Sequence, residues 1–192
     1  MKKTYIIASI GVLSALSIVL VLLIHFPIFP AVAFLEYDPA DVPIILSTAL
    51  FGPVWGLLMT AVVAVVQGLT VSAGSGLYGI LMHITATGAF VLAYWLALAV
   101  IRRIRGEKEK EHPYVSSVIA SIAGIIAQTA IMIPANLVIT PVFMGVDVSV
   151  VIDLMTFIVL FNLIKASANA FVATLLYAAS GRIFNIRNTR KG

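Results

Sequence analysis

Long apolar runs, separated by short polar or Pro/Gly breaks, dominate the chain. Six stand out, at roughly 5–24, 39–51, 53–69, 78–101, 114–139 and 150–181. A helix needs about 20 residues to cross the hydrocarbon core of a bilayer. The pattern therefore predicts a bundle of membrane helices, with the second too short to cross alone. From Pro39 to Phe51 the rise is only about 20 Å at 1.5 Å per residue. Asp38 followed by Pro39 has the chemistry of an N-cap and first-turn pair, and "FGP" at 51–53 stops one helix and starts the next. The preceding stretch, "HFPIFPAVAFLEY", is apolar but broken by Pro27 and Pro30, which marks a packed loop and not a span. Non-helical backbone at membrane depth is tolerated where it is buried in protein or lines a cavity. Either the short helix starts below the outer surface or this loop dips into the membrane as a lid.

Composition agrees with the pattern. Hydrophobic residues make up 61% of the 192 and charged residues 10%, and the mean hydropathy is +1.12. A soluble domain is nearer half apolar and a quarter charged. The fold class expected is an all-α membrane protein: six transmembrane helices in one compact domain over residues 1–192. Met-Lys-Lys before an apolar run resembles a signal peptide, but the run from Tyr5 to Ile24 has spanning length and no polar cleavage region follows. It is read as a retained first helix. With no cysteine, disulfides, thiolate metal sites and a Cys nucleophile are excluded.

Charge sets the orientation. Of the 12 Lys and Arg, all except Lys165 lie at the N-terminus, in the loop after the fourth helix or at the C-terminus. With six spans these places share one side, and the positive-inside rule makes it the cytoplasm. The outer loops carry Glu36, Asp38, Asp41, Asp147 and Asp153 with no Lys or Arg. The basic patches thus report topology and contact with anionic lipid headgroups, not a nucleic-acid partner.

The exception sits in "FNLIKASANAF", residues 161–171. Lys165 is 17 residues outward of Arg182, about 25 Å along a helix, so it belongs in the outer third of the membrane. Asn162 and Asn169 lie at i−3 and i+4, on its face. Gln67, about 21 Å outward of Pro53, and Asn136, just after Pro134, reach a similar level. A lysine near a helix end can snorkel to the headgroups, and asparagines can link helices without binding a ligand. Taken together, an ammonium group and several carboxamides suit the carbonyls and imides of a planar polar ligand, and intramembrane ionisable groups are usually functional. Tyr37, Phe143 and Phe157 are candidate apolar walls.

Other motifs point elsewhere and fall short. "GSGLYG" at 74–79 satisfies G-x-G-x-x-G but lacks the βαβ context of a dinucleotide site; it reads as a tight outer turn whose glycines permit close ligand approach. Ser75 and His83 suggest an intramembrane serine protease, yet no G-x-S-x-G or G-x-S-G pattern is present, and His83 reads as a packed, hydrogen-bonded histidine. Asp38 and Asp41 form D-x-x-D, weak on its own as a Mg²⁺ site and read as capping and outer-surface charge. There is no Walker A motif, no metal site and no catalytic constellation.

Three stretches carry a family resemblance over nearly the full length. "FLEYDPADVPIILSTALFGPVWG", "NLVITPVF" and "FNLIK" resemble the substrate-binding S components of energy-coupling factor (ECF) vitamin transporters, and the latter two resemble the riboflavin-binding RibU branch. The resemblance implies riboflavin as transported ligand, with Asn136, Asn162 and Lys165 on the flavin or its ribityl chain and Leu35 and Gly76 approaching by backbone or apolar contact. It implies no cofactor. It also implies a small-x-x-x-small docking face on the first helix, here Gly11 and Ala15, where members usually have two alanines. The implied partners are a transmembrane coupling subunit (T component) and two ABC-type ATPases, in a bacterial cell membrane. The S component is then expected to tip within the membrane when ATP is used. An S component for another vitamin, or a small intramembrane enzyme using His83 or the Asp pair, are the alternatives.

Overall fold

The computed structural model describes residues 3–106 and 113–189, with side chains for 3–106 and 114–180. Its helices are α1 (Lys3–Leu23), α2 (Asp41–Phe51), α3 (Pro53–Leu69), α4 (Gly76–Arg105), α5 (Pro113–Met144), α6 (Val148–Asp153) and α7 (Met155–Thr189). Between α1 and α2 the strands β1 (Phe26–Pro27) and β2 (Glu36–Tyr37) pair antiparallel, Phe26 opposite Tyr37, around a 3-10 turn at Pro30–Val32. Among the described residues, α1, α4, α5 and the Met155–Ser180 part of α7 are long and apolar enough to cross a membrane, while α2 and α3 are shorter apolar helices.

The boundaries follow local chemistry, with some differences from expectation. The Asp38 carboxylate accepts a hydrogen bond from the Ala40 N–H at 3.0 Å in a turn ahead of the helix. Helix α2 begins at Asp41 and not at Pro39, with Ala40 at its N-cap and no side-chain cap, which corrects the expected Asp38–Pro39 start. At the far end Gly52 adopts φ 99°, a left-handed conformation that favours glycine, and donates to the Thr48 carbonyl at 3.0 Å before Pro53 opens α3. The "GSGLYG" stretch is a turn only as far as Ser75; helix α4 starts at Gly76. Helix α5 continues through Pro134 and Pro141 to Met144, beyond the expected end near 139, as prolines in membrane helices often do when neighbouring helices re-satisfy the backbone. The last apolar segment divides at Leu154 into the short α6 and the long α7.

The shortest of the first helices is the central one. In α2 the residues Asp41, Val42, Pro43, Ile44, Ile45, Ser47, Thr48 and Ala49 are all buried, against α1, α3, α4 and α7. Its polar side chains therefore face protein and not lipid. By contrast α1 buries only Ser17 and Val21. Close helix approach depends on small residues: a Cβ at Gly124 on α5 would come within 2.8 Å of the Phe90 ring on α4, and one at Gly56 on α3 would collide with Thr48 of α2. Toward the basic end, Tyr94 and Ser117 share a hydrogen bond at 2.9 Å and Ser117 reaches Thr174 at 3.2 Å, joining α4, α5 and α7.

The loop between α1 and α2 is packed, as its apolar, proline-broken sequence predicts. Val32 is fully buried with Val151 and Ile158, and Phe29 meets Phe157 of α7 with ring centroids 5.7 Å apart. It covers one end of the bundle.

Candidate ligand-binding site

Beneath that loop two carboxylates are sequestered. Asp38 is 0% and Asp41 4% exposed, which corrects their reading as outer-surface charge. Burying a carboxylate is tolerated only with paired charges and hydrogen-bond donors, and both have them. Asp38 Oδ2 accepts from Lys165 Nζ at 2.7 Å and from Gln67 Nε2 at 3.3 Å. Asp41 Oδ1 accepts from Thr87 Oγ1 at 2.9 Å and lies 3.2 Å from His83 Nε2. Asn169 donates to the Asp38 carbonyl at 3.0 Å and approaches Asp41 Oδ2 at 3.5 Å, while its own oxygen accepts from the Tyr37 hydroxyl at 3.2 Å. Burial, then the adjacent Asp38 carboxylate, raises the Tyr37 pKa above its ordinary value, and the hydroxyl remains a donor.

Gln67 links the two halves. Its amide donates to Asp38, so its oxygen faces His83 Nδ1 at 2.8 Å and the imidazole must donate there. His83 is thus the packed, hydrogen-bonded histidine that its sequence context suggests. The network ties the outer loop to α2, α3, α4 and α7. Lys165 turns inward to Asp38 and the Glu36 carbonyl, at 2.7 and 3.5 Å, and does not snorkel to the headgroups.

Against this network lies a cavity of about 380 Å³, bounded by the loop, the 71–75 turn, α3, α4, α5 and α7. That is within the usual range for a small-molecule site, about 300–1,000 Å³. Phe34, Met82, Ala86, Met132, Phe143 and Phe161 provide apolar walls; Glu36, Gln67, His83, Gln128, Asn162 and Lys165 add polar groups.

Leu35, Asn162 and Lys165, taken from separate parts of the sequence, meet at this cavity, as does Phe143. Asn136 is outside the lining: it is fully buried, donates to the Met132 carbonyl at 2.7 Å and accepts from Thr140 at 2.9 Å. Gly76 is also outside, although Gly74, Ser75 and Gly79 line the cavity. Gly11 and Ala15 are exposed on α1, and a Cβ at Gly11 would meet nothing within 4 Å. Sequence reasoning missed Gln128 altogether and misplaced Asp38 and Asp41. The available signal was the rule applied to Lys165: a polar residue inside an apolar span needs a partner.

The arrangement binds and orients. Among the described residues no three His, Asp or Glu side chains are placed to hold a metal ion. Both ring nitrogens of His83 are engaged, by Gln67 and Asp41.

Known proteins place this geometry. The family described as "ECF transporter, substrate-specific component" matches residues 6–177. A solved structure, described as the S component of a bacterial ECF transporter, is similar with a TM-score of 0.73 and 25% identity, covering 95% of this chain and 99% of its own. Among curated proteins no sequence matches. S components work with a T component and ATPases and have no catalytic activity of their own, which removes the intramembrane-enzyme alternative. With residues 6–177 matched to the family and a similar solved structure covering 95% of the chain, the chain belongs to the ECF transporter substrate-specific components, membrane proteins that bind the substrate to be transported.

Proposed function

We propose that this S component captures riboflavin from outside the cell. The observation that carries the reading is the convergence of Asn162 and Lys165 with Leu35 on one cavity beneath the loop. The likeness of "FNLIK" to riboflavin-binding members assigns the first two to the flavin, and the outer-loop stretch, which resembles S components more broadly, brings Leu35 beside them. A flavin is a flat apolar ring system whose edge alternates carbonyl acceptors with an imide donor. Apolar walls with a few carboxamides among them suit that shape and chemistry. The cavity also favours an uncharged ligand, since the Lys165 ammonium in its lining is matched by Asp38.

In this reading the chain crosses a bacterial cell membrane six times with both termini cytoplasmic. It docks through Gly11 and Ala15 on the T component, and two ATPases drive inward release. Asn136 would touch the ligand only after α5 rearranges, and Gly76 would act through the turn residues beside it. The enclosed Asn136 amide favours a second reading, an S component for a different vitamin.

Purification from a riboflavin-containing culture tests this directly. The protein should carry flavin absorbance in the visible range, and the ligand-free form should quench riboflavin fluorescence on titration. A colourless protein that leaves the fluorescence unchanged overturns riboflavin and turns attention to the second reading.

A further inference from the structure

We propose that Gln128 is a ligand-contacting residue that helps to set specificity, acting with Asn162, a second carboxamide in the same cavity lining. Gln128 is 3% exposed, on α5 in the cavity lining, and among the described residues its side chain makes no hydrogen bond. Its amide is not sealed in apolar packing either. The one fully enclosed side-chain polar atom without a partner among the described residues is Thr129 Oγ1. The Gln128 amide therefore opens on the cavity.

Buried carboxamides almost always find partners, because leaving one unpaired in a low-dielectric setting is unfavourable. Several other polar residues of the lining already have partners: Lys165 has Asp38, His83 has Asp41 and Gln67, and Thr87 has Asp41. Asn162 donates to the Ile158 carbonyl at 2.9 Å, which leaves its oxygen as an acceptor for a ligand donor. Gln128 offers both a donor and an acceptor. The pair fits an uncharged ligand edge that carries at least one N–H or O–H and one carbonyl. The inference rests on this cavity being the substrate site, as proposed above, but not on the substrate being riboflavin.

A panel of vitamins (riboflavin, thiamine, biotin, folate and pantothenate) is titrated against the purified full-length chain, and the binder is then titrated against Gln128→Leu. A lost pair of neutral hydrogen bonds predicts weakening of about ten- to a hundredfold. The ligand-free variant should melt at or above the wild-type temperature, because an unpaired polar group has been removed; a helix-packing role predicts the opposite. In a second measurement Gln128→Cys, the sole cysteine of the chain, should react with a small neutral maleimide and be protected by the bound vitamin. If riboflavin binds the wild type and the leucine variant equally, or the ligand does not protect Cys at this position, the Gln128 assignment falls while the riboflavin reading stands. If another vitamin binds and its affinity drops in Gln128→Leu, riboflavin falls and the Gln128 assignment stands.

Discussion

Lys165 illustrates how a partner changes the meaning of a residue. Read from sequence, its ammonium serves only to meet a ligand acceptor, so Lys165→Met is expected to fold normally and bind about ten- to a hundredfold less tightly. In the structure the same ammonium sits 2.7 Å from a fully buried carboxylate. Removing one partner of a buried ion pair leaves an uncompensated charge, at a cost of about 3–5 kcal/mol. Lys165→Met should therefore lower the melting temperature of the ligand-free protein as well as the affinity. Adding Asp38→Leu to the same chain should recover a large part of the stability, since a well-packed apolar pair often replaces a buried ion pair without loss. Thermal melts of the single and double variants check this; a Lys165→Met protein that melts with the wild type would return the residue to a ligand-only role.

At the level of elements, α1 and α2 divide the work of the bundle. Helix α2 is almost wholly enclosed and carries Asp41 into the network, while α1 turns most of its surface outward. Gly11 and Ala15 lie on that outer surface one turn apart. Small residues so spaced let a second helix approach to near backbone contact, and leucines would hold it away by the width of a side chain. Neither residue lines the cavity. The Gly11→Leu, Ala15→Leu double variant is thus expected to bind substrate with unchanged affinity in detergent, yet to lose co-purification with the T component and uptake in cells. Intact uptake would show that this face is only lipid-exposed, and a collapse of binding would mean that it packs within the subunit.

For the whole molecule, the segregation of charge predicts how it sits in the membrane. In the proposed six-span topology, eleven of the 12 Lys and Arg fall on one side, and the loops of the opposite side hold only acidic charge. A cysteine-free chain makes the test direct. In intact cells a membrane-impermeant maleimide should label Asp147→Cys readily, and label Lys108→Cys only after permeabilisation. The reverse pattern would invert the proposed topology and place the cavity at the cytoplasmic face.

The division between what was legible in the chain and what was not follows from the range of the forces involved. Apolar length, proline and glycine breaks, and the sorting of Lys and Arg are properties of neighbouring residues, so the helices, the "FGP" turn, the packed loop and the membrane class all follow from them. The lining residues Asn162 and Lys165 were legible for a similar reason: an amide and an ammonium inside an apolar run stand out without any knowledge of packing. Rotation of each helix about its axis was not legible. Membrane helices are apolar on most faces, so periodicity says little about which side meets protein. An aspartate near a helix start reads the same whether it caps at the surface or points into a core. Packing alone brings Asp38 to Lys165, 127 positions away, and Asp41 to His83, 42 positions away. The same packing turns Gln128 toward the cavity and Asn136, two helical turns further along, away from it. Those contacts convert scattered polar residues into one network and one cavity, because a buried charge or amide is stable only where the fold supplies its partner.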